Sequence, residues 1–237
     1  MLNYMKADFY RMSSRPAMWI WSIVLAVFPS LAIWGASSQY EAEKALGVTP
    51  VGIYILFMFA VLMLSEYTFR EDKQLGLFKN DTTGGISRSG LYVSKYLSGV
   101  IAAAALWAVC SALSALTFVK AYDVPFPTAL SALFSVRAFG WILQNGMYLA
   151  LFQIIGIYVK KTSVLLLVCL AFSTAISNIG NMIAPVMPKL TALFQTIFGQ
   201  GASDNAVLQN VITLVLPLAG IMILISAGCV LFKKSEL

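Results

Sequence analysis

The amino-acid sequence predicts an all-α integral membrane protein with six transmembrane helices. Of its 237 residues, 59% are hydrophobic and only 11% are charged, whereas a typical soluble domain has about 25% charged residues. So few charges cannot cover a soluble core of this size with polar surface, but in lipid the apolar side chains face outward. The apolar residues also fall into long runs, as bilayer-spanning helices require.

The first 15 residues predict a helix that lies on the membrane surface. Leu2, Met5, Phe9 and Met12 recur at the spacing of one helical face, and the basic residues beside them can contact lipid phosphates. We therefore expect residues 1–15 to form an interfacial amphipathic helix, with a disordered basic tail as the alternative. No signal-peptide cleavage site follows, so the first span is expected to be retained.

Six apolar runs are long enough to span a membrane, for which about 20 residues are needed. They cover residues 17–36, 51–67, 96–119, 138–159, 162–184 and 208–232. An even number of spans puts both termini on the same side of the membrane. With the termini in the cytoplasm, three quarters of the 16 Lys and Arg residues face inward, which is the bias that the positive-inside rule describes.

The longest cytoplasmic connection lies between the second and third spans, at residues 66–95, and holds about a third of the charged residues. Residues 69–80 are predicted to form a short helix with Leu75 and Phe78 on one side, ended by Gly84 and Gly85. Apolar side chains among mixed charges suit docking into a groove of another protein. A solvated loop held by anionic lipid is the alternative interpretation.

The order of residues in this connection is similar to that of a known family. Its markers are Gly76, Phe78-Lys79-Asn80, Gly85-Ile86-Ser87-Arg88 and Leu91-Tyr92-Val93-Ser94-Lys95. The order resembles the cytoplasmic loop after the second span in permease subunits of type-2 ABC transporters, in the branch associated with bacterial resistance to lantibiotics and bacitracin. Two positions depart from the family pattern, because Asp72 stands in place of glutamate and Leu77 in place of threonine.

The resemblance implies that residues 1–237 form a single permease domain in a bacterial plasma membrane. It implies a second permease subunit, in a homodimer or heterodimer, and cytosolic ABC ATPase subunits that dock on the connection at residues 66–95, which we call the coupling region. The docking residues it implies are Phe69, Asp72, Lys73, Leu75, Gly76, Phe78, Lys79 and Arg88. The chain has no G-x-x-x-x-G-K-[ST] phosphate-binding sequence, so ATP and Mg²⁺ are expected in the partner. The implied activity is export of an amphipathic peptide, antibiotic or lipid-like substrate.

Residues 185–207, before the last span, predict a short external helix. Its apolar residues share one helical face: Leu190, Leu193, Phe194, Ile197 and Phe198. About ten residues are too few to cross a bilayer, so we expect a re-entrant segment in the outer leaflet, with an ordinary surface helix as the alternative. Type-2 permeases have similar short external helices before their last span.

Polar residues inside the predicted spans are candidates for a transport pathway, because lipid disfavours them. The fifth span supplies a set that shares one arc of the helix: Ser173, Thr174, Ser177, Asn178 and Asn181. The fourth span supplies Gln144, Asn145 and Tyr148. Hydrogen bonding between helices is the structural alternative to substrate contact.

Several functional classes are excluded by composition. The chain has no histidine, which removes Ser-His catalysis and imidazole zinc sites, and no carboxylate lies near a span centre for an aspartyl dyad or proton relay. The basic charge comes from the loops and does not indicate nucleic-acid binding. We predict a transport subunit without enzymatic activity, cofactor or metal of its own. An ATP-independent six-span protein, such as a substrate-binding component or a channel, is the second hypothesis, and a co-purifying ATPase distinguishes the two.

Overall fold

The computed structural model describes residues 2–37, 57–79, 85–159 and 206–235, and the single positions 41, 161, 164 and 167. Helices account for almost all of these residues and no strand occurs among them, which confirms the all-helical prediction. Four of the described helices are long and apolar enough to cross a membrane: Met18–Ala36, Arg88–Tyr122, Ala138–Tyr158 and Leu214–Lys234. They overlap the first, third, fourth and sixth predicted spans.

Parts of the predicted architecture lie outside the described residues. The structure describes only positions 57–67 of the predicted second span and two positions of the fifth. Of the segment 185–207 it describes only Ala206 and Val207, which belong to the start of the last helix. The six-span count and the re-entrant segment therefore stay predictions.

A short break separates the first two helices. Helix α1 covers Leu2–Ser13 and helix α2 covers Pro16–Ala36. Arg15 is extended, with φ −88° and ψ 119°, because the residue before a proline avoids the helical region. Pro16 fits the first turn, where no amide hydrogen is needed. Trp19 Nε1–H donates to the Ser13 carbonyl oxygen at 2.7 Å, which fixes α2 to the end of α1.

Helix α3 covers residues 57–74 and changes its hydrogen-bond pattern along its length. Residues 57–65 are α-helical, Glu66–Arg70 form a π-helical turn, and Glu71–Gln74 form a final α-helical turn. Gly76 follows with φ 68°, a left-handed conformation that glycine adopts at low cost after a helix. The helix predicted at 69–80 differs from this: the chain continues from the second span without a break, and the interruption falls at Gly76.

Helix α4 is the longest of the described helices and covers Arg88–Tyr122. The Ser87 side chain caps it by accepting a hydrogen bond from the Gly90 amide at 3.1 Å, as serine commonly does at a helix start. Its 35 residues extend about 52 Å at 1.5 Å per residue, against about 30 Å for the hydrocarbon core of a bilayer. The helix therefore reaches beyond the membrane core, and its first turns lie among the charged residues.

Three further helices are bounded within the described residues: α5 covers Phe126–Leu133, α6 covers Val136–Tyr158 and α7 covers Ala206–Lys234. The sequence did not predict α5, which packs against α4 with Ala129 and Leu133 buried. Helices α6 and α7 are parallel neighbours. Gly220 of α7 lies against Met147 of α6, and both helices end in one buried cluster through Ile157 and Phe232.

Candidate functional site at the charged end of the bundle

Charged side chains gather where the end of α3, the start of α4 and the ends of α6 and α7 meet, which we call the charged end. Lys73 Nζ donates to the Ile157 carbonyl oxygen near the end of α6, at 2.5 Å. The Arg88 guanidinium donates to the carbonyl oxygens of Lys233 and Ser235 beside the end of α7, at 2.9 and 3.2 Å. Cations are favourable there because the last carbonyl groups of a helix carry partial negative charge.

Four side chains of the charged end form a closed ring of alternating charge, which we call the ion-pair ring. Its members are Asp8 and Arg11 of α1, Asp72 of α3 and Lys95 of α4. Lys95 Nζ lies 2.5 Å from Oδ1 of Asp8 and 2.5 Å from Oδ2 of Asp72. The Arg11 guanidinium closes the ring, at 2.5 Å from Oδ1 of Asp8 and 2.9 Å from Oδ1 of Asp72. Three helices are thereby joined at one point.

The ion-pair ring is electrically balanced, and three of its four members are buried, whereas the Arg11 side chain is 35% exposed. Lys95 is fully buried, and Asp8 and Asp72 are each 3% exposed. Ser98 Oγ donates to Oδ2 of Asp8 at 3.1 Å, so all four carboxylate oxygens accept a hydrogen bond. This complete pairing matters because an uncompensated buried charge costs several kcal/mol.

Helical spacing explains how the ring assembles. Asp8 and Arg11 lie three positions apart on α1, as do Lys95 and Ser98 on α4, so each pair shares a helical face. A further contact, 2.6 Å between Arg15 and Glu71, joins the break between α1 and α2 to α3. The basic residues Arg11 and Arg15 thus contact carboxylates of the chain, whereas the sequence assigns such residues to lipid phosphates.

An aromatic cluster of Phe69, Phe78, Tyr92 and Phe232 lies next to the ion-pair ring. The ring centroids of Phe69 and Phe78 are 5.3 Å apart, and that of Phe232 is 5.4 and 5.3 Å from them, a favourable aromatic spacing. All four side chains are buried. Lys95 Nζ lies 5.9 Å from the Phe78 centroid, so Phe78 packs in the aromatic cluster and also lies beside a member of the ion-pair ring.

Residues 74–79, which we call the elbow, present the exposed side of this arrangement. Leu75 is 63% exposed, and Gln74 and Lys79 are exposed as well. Of the eight residues predicted to dock an ATPase, Leu75, Lys79 and Arg88 are exposed, Lys73 and Gly76 are half-buried, and Phe69, Asp72 and Phe78 are buried within the chain. The exposed members have accessible side chains, whereas the buried ones pack within the chain beneath the elbow.

The π-helical turn Glu66–Arg70 separates the elbow from the rest of α3. Glu66 and Arg70 form a buried ion pair within this turn. Thr68 Oγ1 donates to the Leu64 carbonyl oxygen at 2.7 Å and accepts from Gln153 Nε2 of α6 at 3.4 Å. Such turns are rare and recur at functional sites, and this one lies between the apolar part of α3 and its charged end.

The transport-pathway candidates on α6 face the interior of the bundle. Gln144 is 2% exposed, Asn145 1% and Tyr148 5%. Asn145 Nδ2 donates to the Trp141 carbonyl oxygen at 2.9 Å, whereas its Oδ1 has no hydrogen-bond partner in the described part of the chain. These side chains are turned away from lipid, as both substrate contact and helix packing require. The other candidates, Ser173, Thr174, Ser177, Asn178 and Asn181, lie outside the described residues.

Asp8 and Lys95 belong to the site although the sequence predicts no role there for either; Lys95 appears only as a marker of the family-like order. Asp8 lies on the apolar face of α1 that also holds Met12, and a carboxylate on an apolar face indicates a buried ion pair. That signal is present in the sequence. The partner is not, because Lys95 is 87 positions further along the chain.

The chain matches no protein-family model and no curated protein sequence. Its function therefore has to be inferred from the sequence pattern of the coupling region and from the geometry of the charged end.

Proposed function

We propose that this chain is the membrane subunit of an ATP-driven type-2 ABC exporter and that a separate cytosolic ATPase docks on the elbow. The observation that carries the proposal is the elbow itself. It is an exposed turn within the family-like sequence order, and the aromatic cluster and the ion-pair ring hold it from beneath. When a docked partner displaces a turn that is packed in this way, α3, α4 and α7 move with it, and the turn does not deform by itself.

The proposed topology has six spans, with both termini in the cytoplasm of a bacterial cell. Its support is that α1 and the end of α7 both lie at the charged end, where most described Lys and Arg residues gather. Because α6 and α7 are parallel neighbours, the connection between them has to return to the opposite end of the bundle. This supports a fifth span, proposed at 162–184. The re-entrant segment at 185–207 is proposed from the sequence pattern alone.

The proposed substrate is an amphipathic peptide, antibiotic or lipid-like molecule, moved outward by a complex with a second permease subunit. In this proposal ATP and Mg²⁺ are bound by the ATPase partner. The inward-facing amides of Gln144 and Asn145 are the described polar groups at membrane depth that support a pathway between helices. Resistance to antimicrobial peptides is the physiological role that the family resemblance suggests.

Affinity capture of the full chain tests the proposal. A tagged chain, purified in mild detergent from its source cells, is expected to bring down an ABC ATPase that mass spectrometry identifies. The double substitution Leu75→Asp/Lys79→Glu is expected to lower the captured ATPase about tenfold or more, because buried interface anchors commonly cost 2 kcal/mol or more. Phe78 and Lys73 are unsuitable for this test, since their contacts lie inside the chain.

The matched control places the same chemical changes on another exposed surface, with Lys6→Glu/Tyr10→Asp on α1, where Tyr10 is 77% exposed. This control is expected to capture as much ATPase as the parent. Undiminished capture by Leu75→Asp/Lys79→Glu would contradict docking at the elbow. A parent chain that captures no ATPase would instead favour the ATP-independent alternative.

A further inference from the structure

Helix α1 is fastened to the elbow and to α4 through buried charges. Asp72, the elbow-side member of the ion-pair ring, lies one turn before Leu75, so a force on Leu75 acts directly on the turn that holds Asp72. Asp72 in turn contacts Arg11 of α1 and Lys95 of α4. A single side chain, that of Asp72, therefore connects the end of α3 at the elbow to α1.

The ion-pair ring favours movement of α3 together with α1 and α4 over separation of α3 from these two helices. If Asp72 moved away alone, Lys95 and Arg11 would each lose a carboxylate oxygen, and the fully buried Lys95 could not replace it with water. A second contact, Arg15–Glu71, joins the break between α1 and α2 to α3, with 38% and 24% of the two side chains accessible. In the ion-pair ring Arg11 is also 35% accessible, but its partners Asp8 and Asp72 are only 2% and 5% accessible and Lys95 is fully buried. Exposed pairs contribute little, so the ring is the stronger of the two links.

We propose that the ion-pair ring makes α1 a moving part of the transport cycle, with Asp8 and Arg11 as the positioning residues that tie it to the elbow. ATPase-driven displacement of the elbow passes through Asp72 to Asp8 and Arg11, and so to the amphipathic helix. This inference rests on the proposed function, because it requires an ATPase that moves the elbow.

Two charge-neutral double substitutions cut the link at different members. Asp8→Asn/Arg11→Gln removes both α1 members and leaves the pair Asp72–Lys95 intact. Asp72→Asn/Lys95→Met removes the other two members and leaves Asp8–Arg11 within α1, and it serves as the second variant if the first does not fold. The matched control is Arg15→Gln/Glu71→Gln, which removes the contact between the α1–α2 break and α3 with the same change in charge.

Hydrogen–deuterium exchange of the captured complex in nanodiscs, with and without ATP, Mg²⁺ and vanadate, gives the readout. In the parent, trapping is expected to change amide exchange both in the elbow and in α1, on the order of tenfold. In Asp8→Asn/Arg11→Gln the elbow should still respond while the response of α1 is lost. The Arg15→Gln/Glu71→Gln control should keep both responses.

The possible outcomes separate this inference from the proposed function. An elbow response without an α1 response in the parent, or an undiminished α1 response in both ring variants, overturns the role of the ring. If the elbow of the parent complex does not respond to trapping, the docking proposal fails, and the role of the ring in transmission fails with it. Loss of the α1 response alone in a ring variant is the result that supports the inference.

Discussion

Replacing Lys95 with methionine removes one cation from a buried ring that holds two carboxylates. Asp8 and Asp72, each 3% exposed, would then share Arg11 as their remaining cation within the ring. At an effective dielectric constant of about 20, two unit charges at the observed 2.5 Å interact by about 6–7 kcal/mol. Desolvation of the ammonium group offsets much of this, and removal of one partner from a buried pair costs about 3–5 kcal/mol.

The double substitution Asp72→Asn/Lys95→Met is expected to be less damaging than Lys95→Met alone. It removes one charge of each sign and leaves Asp8 paired with Arg11 at 2.5 Å. Removing a whole buried pair is often close to neutral for stability. We therefore expect the single substitution to be less stable than the double one by about 2 kcal/mol or more.

Thermal unfolding of the purified chain in detergent measures this difference. For a chain of this length 1 kcal/mol corresponds to about 2–4 °C, so Lys95→Met should lower Tm by roughly 10 °C, with the double substitution intermediate. Arg15→Gln, at a more exposed pair, is the control and should change Tm by no more than about 2 °C. A single substitution as stable as the parent, or a double substitution less stable than the single one, would refute the reasoning.

Three further predictions concern stability and use the same unfolding assay. Gly228→Ala should lower the free energy of unfolding by roughly 1–3 kcal/mol, because the added Cβ would lie 2.2 Å from the Tyr92 hydroxyl oxygen. Gly35→Ala is the control, since its added Cβ would meet nothing within 4 Å. Equal Tm values for the two variants would contradict the prediction. Phe69→Ala should cost about 3–5 kcal/mol, because the ring is fully buried among three aromatic side chains; a loss below 1 kcal/mol would show that the cluster does not hold the elbow. Ser87→Ala should cost about 1 kcal/mol through loss of its cap on the Gly90 amide, and Ser87→Thr should recover most of it.

The long apolar helices are the part of the described fold that the sequence predicts best. Apolar runs of about 20 residues are visible directly in the sequence, because contact with lipid requires apolar side chains along the whole length of a span. Helix α5 does not meet this criterion, because Phe126–Leu133 is short and proline residues stand at its start. The full extent of α4 is not predicted either, because only the middle of that helix is uniformly apolar.

The coupling region shows where sequence reasoning stops. Its pattern predicts Leu75 and Phe78 on one side of a helix, which is wrong because the helix is interrupted at Gly76. Phe78 is buried by Phe69, Tyr92 and Phe232 of the same chain, and Leu75 is exposed. Local spacing specifies a face of a helix, whereas the partner of that face depends on contacts such as Phe78 with Phe232, which are remote in sequence.

The ion-pair ring is not predicted from the sequence either, because its contacts are also between residues that are remote in sequence. Asp8 and Arg11 form a pair that helical spacing predicts, yet their pairing with Asp72 and Lys95 depends on three helices meeting at one point. The π-helical turn at Glu66–Arg70 is likewise invisible in the sequence, because its side chains also fit a regular α-helix.

Photo-crosslinking from position 75 tests the central claim most directly. The full chain, with Leu75 replaced by p-benzoylphenylalanine, is expressed in its source cells and irradiated, and the adducts are identified by mass spectrometry. Leu113, 39% exposed on α4, is the control position at membrane depth. We expect an adduct with an ABC ATPase subunit from position 75 and none from position 113. Adducts from position 75 that contain only lipid, or only proteins without a nucleotide-binding domain, would contradict the account.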